Sequence, residues 1–247
     1  MAGENKISPN LVVLVAICRT CFQLFGQLPS TATKEMVSAL RVRAVKGDAT
    51  AQLDLARMYA QGQGVPRSDA DAVSWSRKAA EQGLPDAQSF VGFMYDTGQG
   101  VPQNFSEAAR WYRMAAEAGS ARAQISLGLM YEEGRGFPRS YAEAARWYRK
   151  SADQGNAEAQ NNLGLMYENG SGVVRDLAEA VRWYRKGAEQ GAPAPQENLG
   201  AMYFRGEGVN QDYPEAARWI RKAAEQGAAG AQLRLGVLYQ SGWGVPG

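Results

Sequence analysis

Charged and thiol side chains are the groups of this chain that could do chemistry, and their placement restricts that chemistry sharply. Cys18 and Cys21 are the only two cysteines, spaced C-x-x-C at the end of the apolar run Leu11-Val12-Val13-Leu14-Val15-Ala16-Ile17-Cys18. Standing alone there, they form a weak redox or metal motif. Histidine is absent from all 247 residues, which removes the commonest general acid/base and imidazole metal ligand. The other candidates recur at a spacing of 36. Basic residues form three rows: Arg110, Arg146, Arg182 and Arg218; Arg113, Arg149, Arg185 and Arg221; and Lys150, Lys186 and Lys222. Asp96, Glu132 and Glu168 form an acidic row. No catalytic set, cofactor site or metal-ligand set is expected. With 27 basic against 25 acidic residues, the net charge of +2 gives no reason to invoke nucleic acid or an anionic membrane.

The elements that position these rows follow from the same spacing. Trp75, Trp111, Trp147, Trp183 and Trp219 lie 36 residues apart, as do Tyr59, Tyr95, Tyr131, Tyr167, Tyr203 and Tyr239. A period of this length marks a stacked array of supersecondary units. In the third unit, Ala123, Leu127, Gly128, Met130 and Tyr131 fall at helical spacing, which predicts a first helix (helix A) over about residues 121–133. Gly134 then supplies a left-handed cap. Ser140 with Glu143 reads as a capping box opening a second helix (helix B) over about residues 141–154, with Ala144, Trp147, Tyr148, Ser151 and Ala152 as its buried face. The same capping pair recurs at Ser68/Asp71, Asn104/Glu107, Asp176/Glu179 and Asp212/Glu215. Gly128 and its equivalents Gly92, Gly164, Gly200 and Gly236 sit inside helix A, where glycine costs about 1 kcal/mol relative to alanine. That cost points to close approach of a Trp or Tyr ring from the neighbouring helix.

The run Ala159-Gln160-Asn161-Asn162-Leu163-Gly164-Leu165-Met166-Tyr167-Glu168-Asn169-Gly170-Ser171-Gly172-Val173, followed by Trp183-Tyr184-Arg185-Lys186-Gly187-Ala188, resembles the Sel-1-like repeat, a relative of the tetratricopeptide repeat. The resemblance covers about Ala51 to the C-terminus: five full units at 51–86, 87–122, 123–158, 159–194 and 195–230, and a half unit at 231–247. It implies an all-α fold, a right-handed α-α superhelix (solenoid) of 36-residue helix-turn-helix repeats, and an adaptor role in bacteria. The departures are Ala56 for the helix-A glycine and Ser76 beside Trp75 in unit one, Phe137 for valine, Ile220 for tyrosine, and Pro195 for alanine.

The array occupies 49–247, preceded by a capping helix at 34–48 and an apolar segment at 1–33. That segment reads equally as an export signal or as a docked helix, so exported and cytoplasmic residence both stay open. Its eight apolar residues are too few to span a bilayer, and no integral membrane span is expected. Helix A of the last unit lacks a following helix B, so the sequence reads there as truncated, or else as ending in an uncapped face available for self-association.

Slots that vary between units should carry the partner. The third, seventh and tenth positions of helix A form a stripe that, by analogy with tetratricopeptide arrays, lines the concave surface: Ser89, Phe93, Asp96; Ile125, Leu129, Glu132; Asn161, Leu165, Glu168; Glu197, Ala201, Phe204. An apolar row beside an acidic row suits an extended or helical peptide with apolar anchors and basic residues. On the helix-B face, Glu107 with Arg110 and Arg113 with Glu117 read as solvated ion pairs rather than a nucleic-acid surface. The expected function is a non-enzymatic scaffold for a protein or peptide partner. The alternatives are an exported envelope or host-contact factor and a β-lactamase-like hydrolase, the latter disfavoured because the repeats contain no cysteine.

Overall fold

The computed structural model describes residues 34–244, which form twelve α-helices with no strand among them. The expectations for residues 1–33, including Cys18 and Cys21, lie outside the described residues. The helices are α1 (Lys34–Val45), α2 (Ala49–Gln61), α3 (Asp69–Glu81), α4 (Pro85–Thr97), α5 (Phe105–Glu117), α6 (Ala121–Glu133), α7 (Tyr141–Asp153), α8 (Ala157–Asn169), α9 (Leu177–Glu189), α10 (Pro193–Arg205), α11 (Tyr213–Glu225) and α12 (Ala229–Ser241). The chain divides into two compact units, one ending at Leu84 and one spanning Pro85–Gly247. None of the described helices is long and apolar enough to cross a membrane.

Helices A and B of the third repeat, α6 and α7, begin where the pattern places them. Gly134 ends α6 at φ 74°, and its N–H bonds the Met130 carbonyl. The backbone then turns so that Ser140 N donates to Tyr131 O at 2.9 Å. The serine Oγ accepts from Glu143 N at 3.3 Å, which is the forward half of the capping box. The reciprocal half is replaced: Glu143 lies 3.6 Å from Arg146, and Glu107 accepts from Arg110 at 3.0 Å. The N-cap N–H that the carboxylate would accept from is already given to the carbonyl of Tyr131, so the glutamate turns to the arginine one turn along.

The core repeats with the sequence. Tyr148, Ala144, Ala145 and Ala152 of α7 pack with Leu163 and Met166 of α8 and with Trp183 of α9. One repeat later, Tyr184, Val181 and Ala188 pack with Leu199, Met202 and Trp219. Trp183 and Trp219 thus sit between their own hairpin and the preceding helix B. A buried aromatic side chain removes about 200 Å² from water, and at about 25 cal/mol per Å² each contributes about 5 kcal/mol. In the first unit, Ala44, Ala51 and Leu55 gather Leu40, Tyr59 and Trp75 in the same way.

The helix-A glycines face tyrosine rather than tryptophan. A Cβ on Gly128 would lie 2.5 Å from Tyr148 Cε1, one on Gly92 2.8 Å from Tyr112 Cδ1, and one on Gly164 2.6 Å from Tyr184 Cε1. In the fifth repeat Ile220 fills the notch, 2.6 Å from a Cβ on Gly200. The two departures of the first repeat are therefore one compensated pair: Ala56 replaces the glycine in the register where Ser76 replaces the ring, and both are buried. Pro195 is a second such pair. A Cβ on Gly187 would lie 2.7 Å from Pro195 Cγ, and Gly187 stands where Ser151 and Ala223 stand in neighbouring repeats.

Nothing lies within 4 Å of a Cβ on Gly236, so the two ends of this glycine series should respond oppositely to alanine. Gly128→Ala is expected to lose about 1–3 kcal/mol through overpacking. Gly236→Ala should gain up to about 1 kcal/mol from helix propensity. Urea unfolding of the two variants measures the difference.

Candidate functional site

The helix-A stripe is brought onto successive helices, but it is not uniformly open. Ser89, Phe93 and Ile125 are buried, Phe93 to 7% exposure, which corrects the expectation of an exposed row at these positions. Ile125 joins the α7–α8 core. Leu129 is half-buried, Ala201 is buried, Phe204 is partly buried, and Leu165 is 37% exposed.

The acidic row is engaged by the protein itself. Tyr148 donates to Glu132 at 2.8 Å and Tyr184 to Glu168 at 2.6 Å. Glu168 also accepts from Arg205 of the next helix A at 2.8 Å, Glu197 accepts from Arg234 at 3.1 Å, and Asp96 pairs with Arg135. Asn198 donates to Asn161 at 2.8 Å. Polar groups expected to await a basic ligand thus tie α4 to the turn after α6, α8 to α10 and α10 to α12, while Glu132 is held within its own hairpin. Burial raises the Asp96 carboxyl above its usual range, opposed by the Arg135 charge. Burial, with Glu132 and Glu168 second, lifts the Tyr148 and Tyr184 hydroxyls well above 10.0.

The three basic rows are equally committed. Arg182 and Arg218 pair with Glu179 and Glu215 three residues earlier, as Arg110 does. The second row reaches across to the next repeat: Arg113 donates to Tyr131 at 2.7 Å, Arg185 to Tyr203 at 2.7 Å and Arg221 to Tyr239 at 2.9 Å, and Arg149 bonds Tyr167. The expected Arg113–Glu117 pairing gives way to this bridge. Arg41 of α1 bonds Tyr59 of α2 in the same register, at 2.5 Å. Lysines lie over the indoles three residues before them, Lys150 over Trp147 and Lys186 over Trp183 at 4.0 Å, and Lys222 over Trp219 at 4.7 Å. Among the described residues no cluster of acidic or thiol groups could hold a metal ion.

A buried glutamine ladder escaped the reading of the sequence. Gln124 donates to the Ala116 carbonyl at 3.1 Å and accepts from Gln154 at 2.8 Å. Gln160 and Gln196 repeat the pattern with Ala152 and Gln190, and with Ala188 and Gln226. Each glutamine thereby satisfies a C-terminal carbonyl of the preceding helix B and joins three helices. The signal was present, a polar residue kept in a buried slot every 36 residues, but its partners are set only by stacking.

Short α-helices, paired as hairpins and stacked through rings and polar ladders, define an all-α helical-repeat fold of the tetratricopeptide-like class. The Sel1 repeat profile matches residues 49–84, 85–120, 121–156, 157–191, 196–227 and 229–247, and the chain belongs to the Sel1 repeat family. A protective antigen present in uropathogenic Escherichia coli strains is similar at 41% identity with a TM-score of 0.82, over 85% of this chain and 45% of that one. The chain therefore spans less than half the length of that relative. A Sel1 repeat protein from Oxalobacter formigenes is similar at 31% identity with a TM-score of 0.80, over 96% of this chain and 91% of that one. No protein with a curated description matches the sequence. Sel1 repeat proteins generally serve as protein-interaction scaffolds rather than enzymes.

Gln124→Leu should cost about 1–3 kcal/mol, because it removes the two hydrogen bonds to the Ala116 carbonyl and from Gln154, each contributing about 0.5–1.5 kcal/mol; thermal unfolding measures the loss. The two buried phenols should also show in a spectrophotometric titration. Their folded values lie above the unfolded value near 10, so the stability they contribute is complete below that pH and declines as pH rises beyond it. Tyr148 and Tyr184 should ionise only when the protein unfolds in alkali.

Proposed function

We propose that this chain is a non-enzymatic scaffold that receives a protein or peptide along the helix-A row of the Pro85–Gly247 unit. Leu129 and Leu165 are its apolar contacts, and Phe204 lies at one end. The observation that carries the reading is Leu165, a large apolar side chain kept 37% exposed on a helix whose other apolar groups are packed away. Its neighbours on the stripe are held by the Asn161–Asn198 and Glu168–Arg205 bonds between successive A helices. A surface braced in this way loses little freedom when it binds. The proposed row keeps Ser89, Asp96, Asn161, Glu168 and Glu197 as positioning groups. Glu132 is tied to Tyr148, which shifts the preferred partner chemistry from basic side chains towards apolar groups and neutral hydrogen bonds.

The scaffold reading and the interaction habit of the family agree. The alternative of an exported envelope or host-contact factor depends on residues 1–33. Hydrolase activity has no supporting constellation among the described residues.

The test uses quantitative affinity capture with the intact chain. The double substitution Leu129→Asp and Leu165→Asp should weaken capture of the bound partner at least a hundredfold with the helical circular dichroism unchanged. Val174→Asp, at an exposed position in the loop between α8 and α9, should leave capture intact. Undiminished capture by the double variant would refute the assignment of this row.

A further inference from the structure

The acidic row gives one carboxylate to each of α4, α6 and α8: Asp96, Glu132 and Glu168. Two of these hold an arginine supplied by the next repeat. Asp96 pairs with Arg135 of the turn after α6, and Glu168 accepts from Arg205, the last residue of α10, at 2.8 Å. Glu132 holds no arginine among the described residues. Both sources are missing at its junction, where Ser171 stands in the slot of Arg135 and Asn169 in the slot of Arg205.

The surroundings of the missing guanidinium are otherwise repeated. While it pairs with Asp96, Arg135 also lies 5.4 Å from the centre of the Phe105 ring, so its planar cation has a carboxylate beside it and an aromatic face against it. One repeat later the ring slot is Tyr141, which is 39% exposed. Gly136 lies directly against the Phe105 backbone and Gly172 against that of Tyr141. The turn carrying Ser171 is therefore seated on the tyrosine as the turn carrying Arg135 is seated on the phenylalanine. Arg139 is exposed and stands 5.7 Å from the Tyr141 ring centre, at the edge of cation–π reach.

Tyr148 occupies one oxygen of Glu132, Oε2, at 2.8 Å. The other oxygen is enough for an arginine, as Glu168 demonstrates: its Oε2 accepts from Tyr184 at 2.6 Å while its Oε1 accepts from Arg205. The tyrosine bond, which turns the row as a whole towards apolar partners, thus still admits one cation at Glu132.

We propose that Glu132, Tyr141 and Ser171 form a receptor for one arginine side chain of the protein or peptide bound along the helix-A row. An N–H of the guanidinium bonds Glu132 Oε1, its face lies on Tyr141, and Ser171 leaves free the volume that Arg135 fills one repeat earlier. Arginine is preferred to lysine because a planar cation donates in its plane while stacking on a ring, which a compact ammonium cannot do. The receptor rests on the row reading, since Leu129 lies one turn before Glu132 on α6, and it adds the cation that accompanies the apolar anchor.

The probes are fluorescent heptapeptides with one central leucine and one arginine placed at each other position in turn, and a matched set with citrulline, which keeps the shape and loses the charge. Anisotropy titration against the full chain should find an arginine peptide that binds saturably and a citrulline twin weaker by about tenfold. Ser171→Arg supplies the guanidinium from within, so it should raise the melting temperature and weaken that peptide by about tenfold. Glu132→Gln, which can still accept from Tyr148, should weaken it with the circular dichroism unchanged. Absence of saturable binding, or equal binding of the citrulline twin, overturns the proposal. Binding lost with Leu129→Asp and Leu165→Asp but kept by Ser171→Arg and Glu132→Gln overturns the receptor and leaves the row reading in place. The reverse pattern upholds the receptor and overturns the row.

Discussion

In the four hairpins from α4 to α11 the distance between the two helices is set by one contact, a phenol or isoleucine side chain of helix B lying directly on the backbone of helix A. Only a residue without a Cβ permits this approach, since a Cβ at Gly128 or Gly164 would meet the opposing ring at 2.5–2.6 Å. The helix-propensity cost of glycine, about 1 kcal/mol, is small beside the burial of a ring, about 5 kcal/mol. The rest of the architecture depends on that spacing. It lets the indole of the following repeat reach the preceding helix B, and it places Gln154 within reach of Gln124. The first repeat changes both sides of that register, Ala56 for the glycine and Ser76 for the ring, and a separate contact between α9 and α10 changes likewise, with Gly187 admitting Pro195.

A second constraint is the disposal of backbone carbonyls at the end of each helix B. These ends are buried by the next hairpin and so cannot rely on water. The glutamine ladder answers this with one donor per repeat, and its carbonyl oxygen is satisfied in turn by the glutamine of the following helix B. The Arg–Tyr bridges operate on another side of the same junction, from Arg113 to Tyr131 and onward. Polar groups thus fix the register of a stack that apolar packing alone would allow to slide.

Function in such an array has to be read from what architecture leaves over. Most of the charged side chains that could bind a ligand are already bound: the acidic row by tyrosine and arginine, the basic rows by glutamate, tyrosine and tryptophan. On the helix-A row, the large apolar side chain that remains outward-facing is Leu165. Membership of the Sel1 repeat family agrees with an interaction scaffold, and the similarity to the E. coli antigen extends over less than half of that longer chain.

Periodicity made much of the fold legible. Helix limits at Ala121–Glu133 and Tyr141–Asp153, the left-handed cap at Gly134, the serine and aspartate N-caps and the ring behind the helix-A glycine all follow from local spacing and capping chemistry, which act within a few residues. Tertiary stacking decided the partners. Whether Phe93 is buried and Leu165 exposed, whether Glu132 meets a ligand or Tyr148, and whether Arg113 turns to Glu117 or to Tyr131 depend on side chains 16 to 36 residues away. A period reveals that two slots recur together, but only the packed structure determines which side chains meet, because hydrogen bonds and burial are settled by distances of a few tenths of an ångström between helices.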